Sequence, residues 1–287
     1  MDYIDLHVHS TASDGSYRPA EVVRLARDAG LRAFALTDHD TVDGLEEAIK
    51  AGEEYGVEVV PGVEISARFT GDTMHILGYF LEYKSGELDA RLTVLKAARA
   101  ERNPQIVARL NASGIPVTME RVRGLSGGGQ VGRPHIARAL LEGGYVRTFQ
   151  EAFDRYLKRG RPAYVEKFRF PPEEAINMIR EAKGIPVLAH PFTLGLGSAT
   201  ALKTVLQNLK SLGLAGIEVF YSDHSREQEA LYLKQARELD LLVTGGSDFH
   251  GQNKPEISLG RFPSQYKLTY PILESLKKWH SREYGKG

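Results

Sequence analysis

Tyr3-Ile4-Asp5-Leu6-His7-Val8-His9 is the stretch on which the fold turns. Tyr3–Val8 reads as a strand, and similar runs rich in Val, Ile and Phe recur along the chain. Ala33–Thr37, Val57–Ser66, Thr73–Tyr83, Pro186–Ala189, Ile217–Tyr221 and Leu241–Gly245 bring the count to seven. Helical patterns fall between most of them. Pro19–Ala29 places apolar residues at Val22, Val23, Leu25, Ala26 and Ala29, with Pro at its start and Gly30 at its end. Leu45–Tyr55 stops at Gly56, Pro172–Ala182 at Gly184 and Leu202–Leu212 at Gly213. Ser225–Leu239 and Pro271–Trp279 complete the set. Such alternation predicts a parallel sheet covered by helices. Seven units in 287 residues fit a barrel better than an open sheet.

The alternation fails between about Lys84 and Val165. There, Arg91–Leu110 reads as a helix that Pro104 breaks or kinks. Ser126–Gly132 reads as a flexible loop, and His135–Leu141 and Phe149–Leu157 as short helices. We therefore divide the chain into a first barrel part (1–84), a mostly helical insertion that caps the barrel mouth (85–165) and a second barrel part (166–287). The composition is ordinary for a globular protein, 42% hydrophobic and 26% charged. Lys plus Arg equals Asp plus Glu at 37 each, which argues against a nucleic-acid coat and long-duplex binding. There is no cysteine, so disulfides, thiolate catalysis and cysteine-type zinc sites are excluded. The opening lacks a signal-peptide pattern, and no apolar run is long enough to span a membrane. A cytoplasmic protein is the expectation.

The histidines carry the first sign of function. On a strand, residues i and i+2 face the same way, so His7 and His9 converge. Two neutral imidazoles at that spacing form a ready pair of metal ligands, although a satisfied core pair would look the same. The pattern recurs at other strand ends: Asp38-His39-Asp40, Gly62-Val63-Glu64, Ala189-His190-Pro191 and Ser247-Asp248-Phe249-His250. Asp14 follows the first strand, and His75 starts the fourth. In a barrel the loops at the strand C-terminal ends form the active face. His7, His9, Asp14, His39, Glu64, His75, His190, Asp248 and His250 would then meet in one cleft. Gathering these groups without cations would be costly. Nine ligands hold two or three divalent metals if a carboxylate such as Glu64 bridges. Nitrogen and oxygen donors without sulfur favour Mn²⁺, with Zn²⁺ and Fe²⁺ as alternatives.

At these residues the chain resembles the polymerase-and-histidinol-phosphatase (PHP) superfamily. The matching segments are Asp5–Gly15 (DLHVHSTASDG), Leu36–Gly44 (LTDHDTVDG), Pro61–Ser66 (PGVEIS), Leu188–Pro191 (LAHP) and Gly245–Gly251 (GGSDFHG). The resemblance implies a distorted (β/α)₇ barrel with a trinuclear metal centre. It assigns His7, His9, Glu64 and Asp248 to one metal, Glu64, His75 and His190 to a second, and Asp14, His39 and His250 to a third. The family's position at Asp14 is often His, and the Asp resembles the nucleotide-phosphatase branch. Within the insertion, Gly132–Leu140, Glu151–Leu157 and Arg161–Val165 resemble the branch often labelled TrpH-like. That branch is similar to nucleoside 3′,5′-bisphosphate phosphatases, and some of its members trim short RNAs from the 5′ end.

The expected reaction is phosphate-ester hydrolysis by a metal-bridging hydroxide held by Glu64. Asp248 is the candidate proton acceptor. His224, just after the sixth strand, is a candidate to protonate the leaving oxygen or touch substrate. Arg133 and His135 are the insertion residues singled out for a second phosphate, since a guanidinium holds phosphate through two parallel hydrogen bonds. Arg102, Arg18 and Lys167 are further substrate-binding candidates. The expected substrate is a small phosphorylated molecule, either a nucleotide or a short oligonucleotide. Competing expectations are a histidinol-phosphate phosphatase, an amidohydrolase and a non-catalytic metal-dependent binding module. The Glu64 bridge stands where amidohydrolases commonly use a carboxylated lysine.

Overall fold

A computed structural model describes residues 2–70, 72–262 and 268–285. In chain order, β1 (Tyr3–Val8), α1 (Pro19–Asp28), β2 (Leu31–Leu36) and α2 (Leu45–Tyr55) open the barrel. β3 (Glu58–Phe69) and β4 (Asp72–Tyr79) follow without a helix between them. The helical stretch comprises α3 (Gly86–Ala112), α4 (Met119–Leu125), α5 (Arg133–Glu142) and α6 (Phe149–Ala152), which passes into a π-helical turn, Phe153–Leu157. The barrel then resumes with α7 (Pro172–Glu181), β5 (Ile185–Leu188), α8 (Ala199–Ser211), β6 (Gly216–Tyr221), α9 (Arg226–Glu238), β7 (Leu242–Gly246) and α10 (Tyr270–Tyr284). The seven strands lie in sequence order in one sheet. The sheet nearly closes where β7 meets β1, through Asp248 N to His7 O (2.8 Å) and His9 N to Phe249 O (3.0 Å). Gly246 permits that closure: a Cβ there would sit 2.1 Å from His7 Cβ. The fold is a distorted seven-stranded barrel.

β4 departs from the expected parallel arrangement. It pairs antiparallel with both β3 and β5, whereas β1–β2–β3 and β5–β6–β7 are parallel. Only two residues link β3 to β4, and so short a link joins antiparallel strands only. The beginning of β4 consequently lies where the parallel strands end. His75, paired with Ser66, is thereby delivered to the active face.

A second correction concerns Pro104. It lies inside α3, which runs unbroken for 27 residues. An interior proline costs roughly 3 kcal/mol. Burying an aliphatic side chain returns about 1.5–3 kcal/mol, and α3 buries Leu92 and Leu95 on one side of Pro104 and Ile106, Val107 and Leu110 on the other. Leu92 and Leu95 belong to the barrel core, while the latter three join Val122, Ile136, Leu140 and Leu157 in a separate apolar core. One helix thus threads two cores. The glycine-rich loop before α5 is packed, too. Gly129 lies against the loop after β1, where a Cβ would fall 1.5 Å from Thr11 O.

Candidate metal centre

Glu64 sits fully buried on β3 at the centre of five imidazoles. Its Oε2 lies 3.2 Å from His7 Nε2, 3.3 Å from His9 Nε2 and 3.0 Å from His39 Nδ1. Its Oε1 lies 2.8 Å from His75 Nδ1 and 3.0 Å from His190 Nε2. Asp248 Oδ1 approaches His9 Nε2 at 3.1 Å and His7 Nε2 at 3.4 Å. Asp14 completes the other side, 3.2 Å from His250 Nε2 and 3.8 Å from His39 Nε2. All nine residues singled out in the sequence therefore converge at one end of the barrel. Three subsets bring their donor atoms within 4.8 Å of one another: His7, His9, Glu64 and Asp248; His9, Asp14, His39 and His250; and His39, Glu64 and His75. The second includes His9 as well as the expected trio. The third contains His39, while His190 reaches the centre through Glu64.

The donor set fits divalent cations. His7 Nε2, His9 Nε2, His39 Nδ1 and Glu64 Oε2 are buried and make no aligned hydrogen bond, although they approach one another to about 3 Å. Atoms that crowd together without pairing converge on shared points, which is the arrangement ligands take around an ion. With neutral imidazoles the nine side chains carry three negative charges; Lys254 Nζ, 2.5 Å from Asp248, meets one, and bound cations would offset the others in so buried a place. The side chains alone respond to this imbalance in their proton affinities. Burial alone would raise Glu64, but His39, His75 and His7 hold its carboxyl well below the usual range. Burial likewise opposes a charge on His7, yet Glu218, Glu64 and Asp248 lift the ring well above its ordinary value. Burial pushes His75 down to about 4, against the pull of Glu64, leaving a neutral donor at neutral pH.

A second tier of residues orients these groups, and sequence reasoning missed it. Glu218 on β6 is fully buried; its Oε1 lies 3.0 Å from His7 Nδ1 and its Oε2 accepts from His190 N at 2.8 Å. Tyr221 Oη and Lys254 Nζ donate to Asp248 Oδ2 at 2.7 and 2.5 Å. Asp38 accepts from Ser10 and Ser13 and fixes the loop that carries Asp14. A glutamate inside the apolar run Ile217–Tyr221 was the available signal for Glu218. Lys254 lay in a loop without pattern.

The mouth of the centre is a cavity of about 140 Å³. Asp14, His39, His75 and His250 of the centre line it together with six cationic residues, Arg99, Arg102, Arg133, Lys167, Arg169 and Lys254, and with Ser66, Thr73, Pro134 and Phe153. Of the expected substrate-binding residues, Arg102, Arg133 and Lys167 line this cavity. Arg133 also donates to Leu157 O at 3.2 Å and lies over the Phe153 ring. Arg102 is buried with an unpartnered Nε. Burial and the neighbouring Arg99 push Lys167 down to about 7, although Asp40 accepts from its Nζ at 2.7 Å.

Three expected residues take other positions. Arg18 precedes α1 at the surface, 3.3 Å from Glu47, because the turn that starts the helix points it to solvent. His135 is buried, and its Nδ1 accepts from Gly132 N at 2.9 Å, closing the first turn of α5. Burial drives that ring down to about 4. His224 packs among Phe192, Tyr221 and Tyr232 and pairs through Nδ1 with Val219 O at 2.8 Å, so it does not line the cavity.

A barrel whose strand ends gather six histidines and three carboxylates beneath a cationic mouth defines a metallohydrolase of the phosphate-handling kind. The family model for the PHP domain matches residues 5–166. A 5′-3′ exoribonuclease of Haemophilus influenzae is 37% identical, over 86% of this chain and 89% of its own. A 3′,5′-nucleoside bisphosphate phosphatase of Chromobacterium violaceum is 32% identical, over 96% and 97%. A solved structure of a candidate metal-dependent phosphoesterase from Bifidobacterium adolescentis aligns at a TM-score of 0.86 and 31% identity, covering 96% of this chain and 95% of that one. The chain belongs to the PHP family.

Proposed function

We propose that this phosphoesterase removes the 3′-phosphate from nucleoside 3′,5′-bisphosphates and trims short 5′-phosphorylated oligoribonucleotides. The chain is a hydrolase acting on phosphate esters. The observation that carries the finer reading is the cationic lining of the cavity at the histidine centre. A single phosphate needs the centre alone. Arg102, Arg133, Lys167 and Arg169 in the lining of the same cavity suit a second phosphate on the same substrate. The two relatives named above act, by their names, on a bisphosphate nucleoside and on RNA, both of which carry such a pair.

Two or three divalent cations, with Mn²⁺ proposed and Zn²⁺ and Fe²⁺ as alternatives, would be held by the nine side chains and supply a nucleophile at neutral pH and a clamp on phosphoryl oxygens. Glu64 would bridge, since its two oxygens face different sets of imidazoles. Asp248, the proposed proton acceptor, presents Oδ1 to the centre while Tyr221 and Lys254 fix Oδ2. Lys254 also lines the mouth, where it can meet charge developing on the phosphoryl group.

The test is phosphate release from adenosine 3′,5′-bisphosphate, histidinol phosphate, 5′-AMP and an aryl phosphate, with each metal. The expected preference is for the bisphosphate. Arg133→Ala should lower kcat/KM for it by roughly 10–100-fold, the worth of a charged hydrogen-bond pair, and leave the aryl phosphate unchanged. Equal losses on both would remove the second-phosphate role.

A further inference from the structure

Past Lys167 and Arg169 lies a second, larger hollow of about 580 Å³. These two residues line both spaces, so the hollow adjoins the site. The volume is that of a small-ligand site, roughly 300–1,000 Å³. The barrel supplies Arg68, at the end of β3, and the helical insertion supplies Arg159, just after its π-helical turn. The segment returning to the barrel supplies Tyr164 and Phe168.

Phe168 is anomalous. With Val94 it is one of two large apolar side chains left exposed among the described residues, at 51%. Phe170 braces it, with ring centroids 5.0 Å apart in a T-shaped pair, so it is held in place. Arg169 is nearly buried and its Nε lacks a hydrogen-bond partner. The carboxylate lining the hollow, Glu166, is exposed but accepts from Tyr164 Oη at 2.7 Å and from the Arg169 guanidinium, and Arg68, Arg159 and Lys167 outnumber it. The surroundings therefore remain cationic. An exposed aromatic ring beside arginines, in a hollow that adjoins the cationic mouth, is the combination that holds single-stranded nucleic acid: bases stack and the backbone meets positive charge.

We propose that this hollow holds a further nucleotide of a single-stranded oligoribonucleotide, its base stacked on Phe168 and its phosphate beside Arg68 and Arg159. The inference rests on the oligonucleotide reading above, which it extends from the reacting nucleotide to its neighbour. It makes the enzyme favour short chains over a lone bisphosphate through residues outside the metal centre.

The test is equilibrium binding of a fluorescent 5′-phosphorylated pentanucleotide with phosphorothioate linkages to the full-length metal-loaded protein, read by anisotropy. Adenosine bisphosphate hydrolysis is measured in parallel. Phe168→Ala should weaken pentanucleotide binding roughly 5–100-fold, the worth of one stacked base. Bisphosphate kcat/KM should stay unchanged. Arg68→Ala/Arg159→Ala should lower the slope of log affinity against log salt by roughly 1.4, at about 0.7 per lost contact. Wild-type pentanucleotide affinity in both variants would overturn the proposal, as would equal loss for pentanucleotide and bisphosphate. Phe168-dependent binding by a protein that hydrolyses no bisphosphate would sustain the hollow and overturn the bisphosphate reading instead.

Discussion

At the scale of single residues, the centre depends on groups that never face the cavity. His7 presents Nε2 to Glu64 and Asp248 and Nδ1 to Glu218. For Nε2 to offer a lone pair, the ring must carry its proton on Nδ1 and donate it to Glu218. Glu218 thus selects the tautomer and, through His190 N, steadies a second imidazole. Glu218→Gln keeps the shape but removes the charge that makes His7 a strong donor. Partners of this kind are worth roughly 10–100-fold in metal affinity. We expect a loss of that size in competition with a chelating dye, with activity restored at raised Mn²⁺. Unchanged affinity would reduce Glu218 to a packing residue. The nine facing residues were legible in the sequence because His, Asp and Glu cut into apolar strand ends. Glu218 gave the same signal one strand later, but as an isolated acid it lacked a partner in the local pattern. Lys254 and Arg99 gave none, because a cation on a loop or helix usually does no more than solvate a surface.

At the scale of elements, what matters is how the helical stretch is fastened to the barrel. Asp40, in the loop after β2, accepts from Arg99 of α3 at 2.6 Å and from Lys167 at 2.7 Å, with all three side chains buried. One carboxylate therefore ties three segments around the mouth. Burial would raise its pKa, but Lys167 and Arg99 hold it well below the usual carboxylate range. Its folded pKa lies below the unfolded value of 3.8, so the stabilisation is complete above that value and fades as the pH falls beneath it. Asp40→Asn strands Arg99 as a buried cation and takes the partner from Lys167, and should cost about 3–5 kcal/mol in urea unfolding at neutral pH. The difference from wild type should shrink below pH 4. A constant difference down to pH 3 would show that the cost comes from packing. The strands and most helices were readable from apolar runs and their Gly and Pro ends. The reversal of β4 was not, because the pattern of a strand is the same in either direction. It followed instead from the missing helix between Ser66 and Thr73. Pro104 misled in a similar way: its local penalty is real, but the two cores that hold α3 lie far apart in sequence.

At the scale of the whole molecule, the barrel closes around unpaired charge. The ends of β1 and β7 meet through backbone hydrogen bonds at His7, His9, Asp248 and Phe249, and the side chains of the first three face the centre. The final seam of the sheet and the site therefore share residues, one through their backbone and the other through their side chains, and whatever neutralises the site also holds the seam. A cation present at about 100 times its dissociation constant stabilises a folded protein by roughly 2.7 kcal/mol. At about 2–4 °C per kcal/mol for a domain near this size, stripping one ion should lower Tm by roughly 5–10 °C, and re-addition of Mn²⁺ should restore it. Differential scanning calorimetry with and without a chelator reads this directly. A Tm indifferent to both would mean that the imidazolium–carboxylate pairs of the free side chains already balance the charge, so that binding of cations adds nothing to the seam. A Tm raised by the chelator would mean that ions distort the closure, which the convergence of unpaired donor atoms on Glu64 argues against.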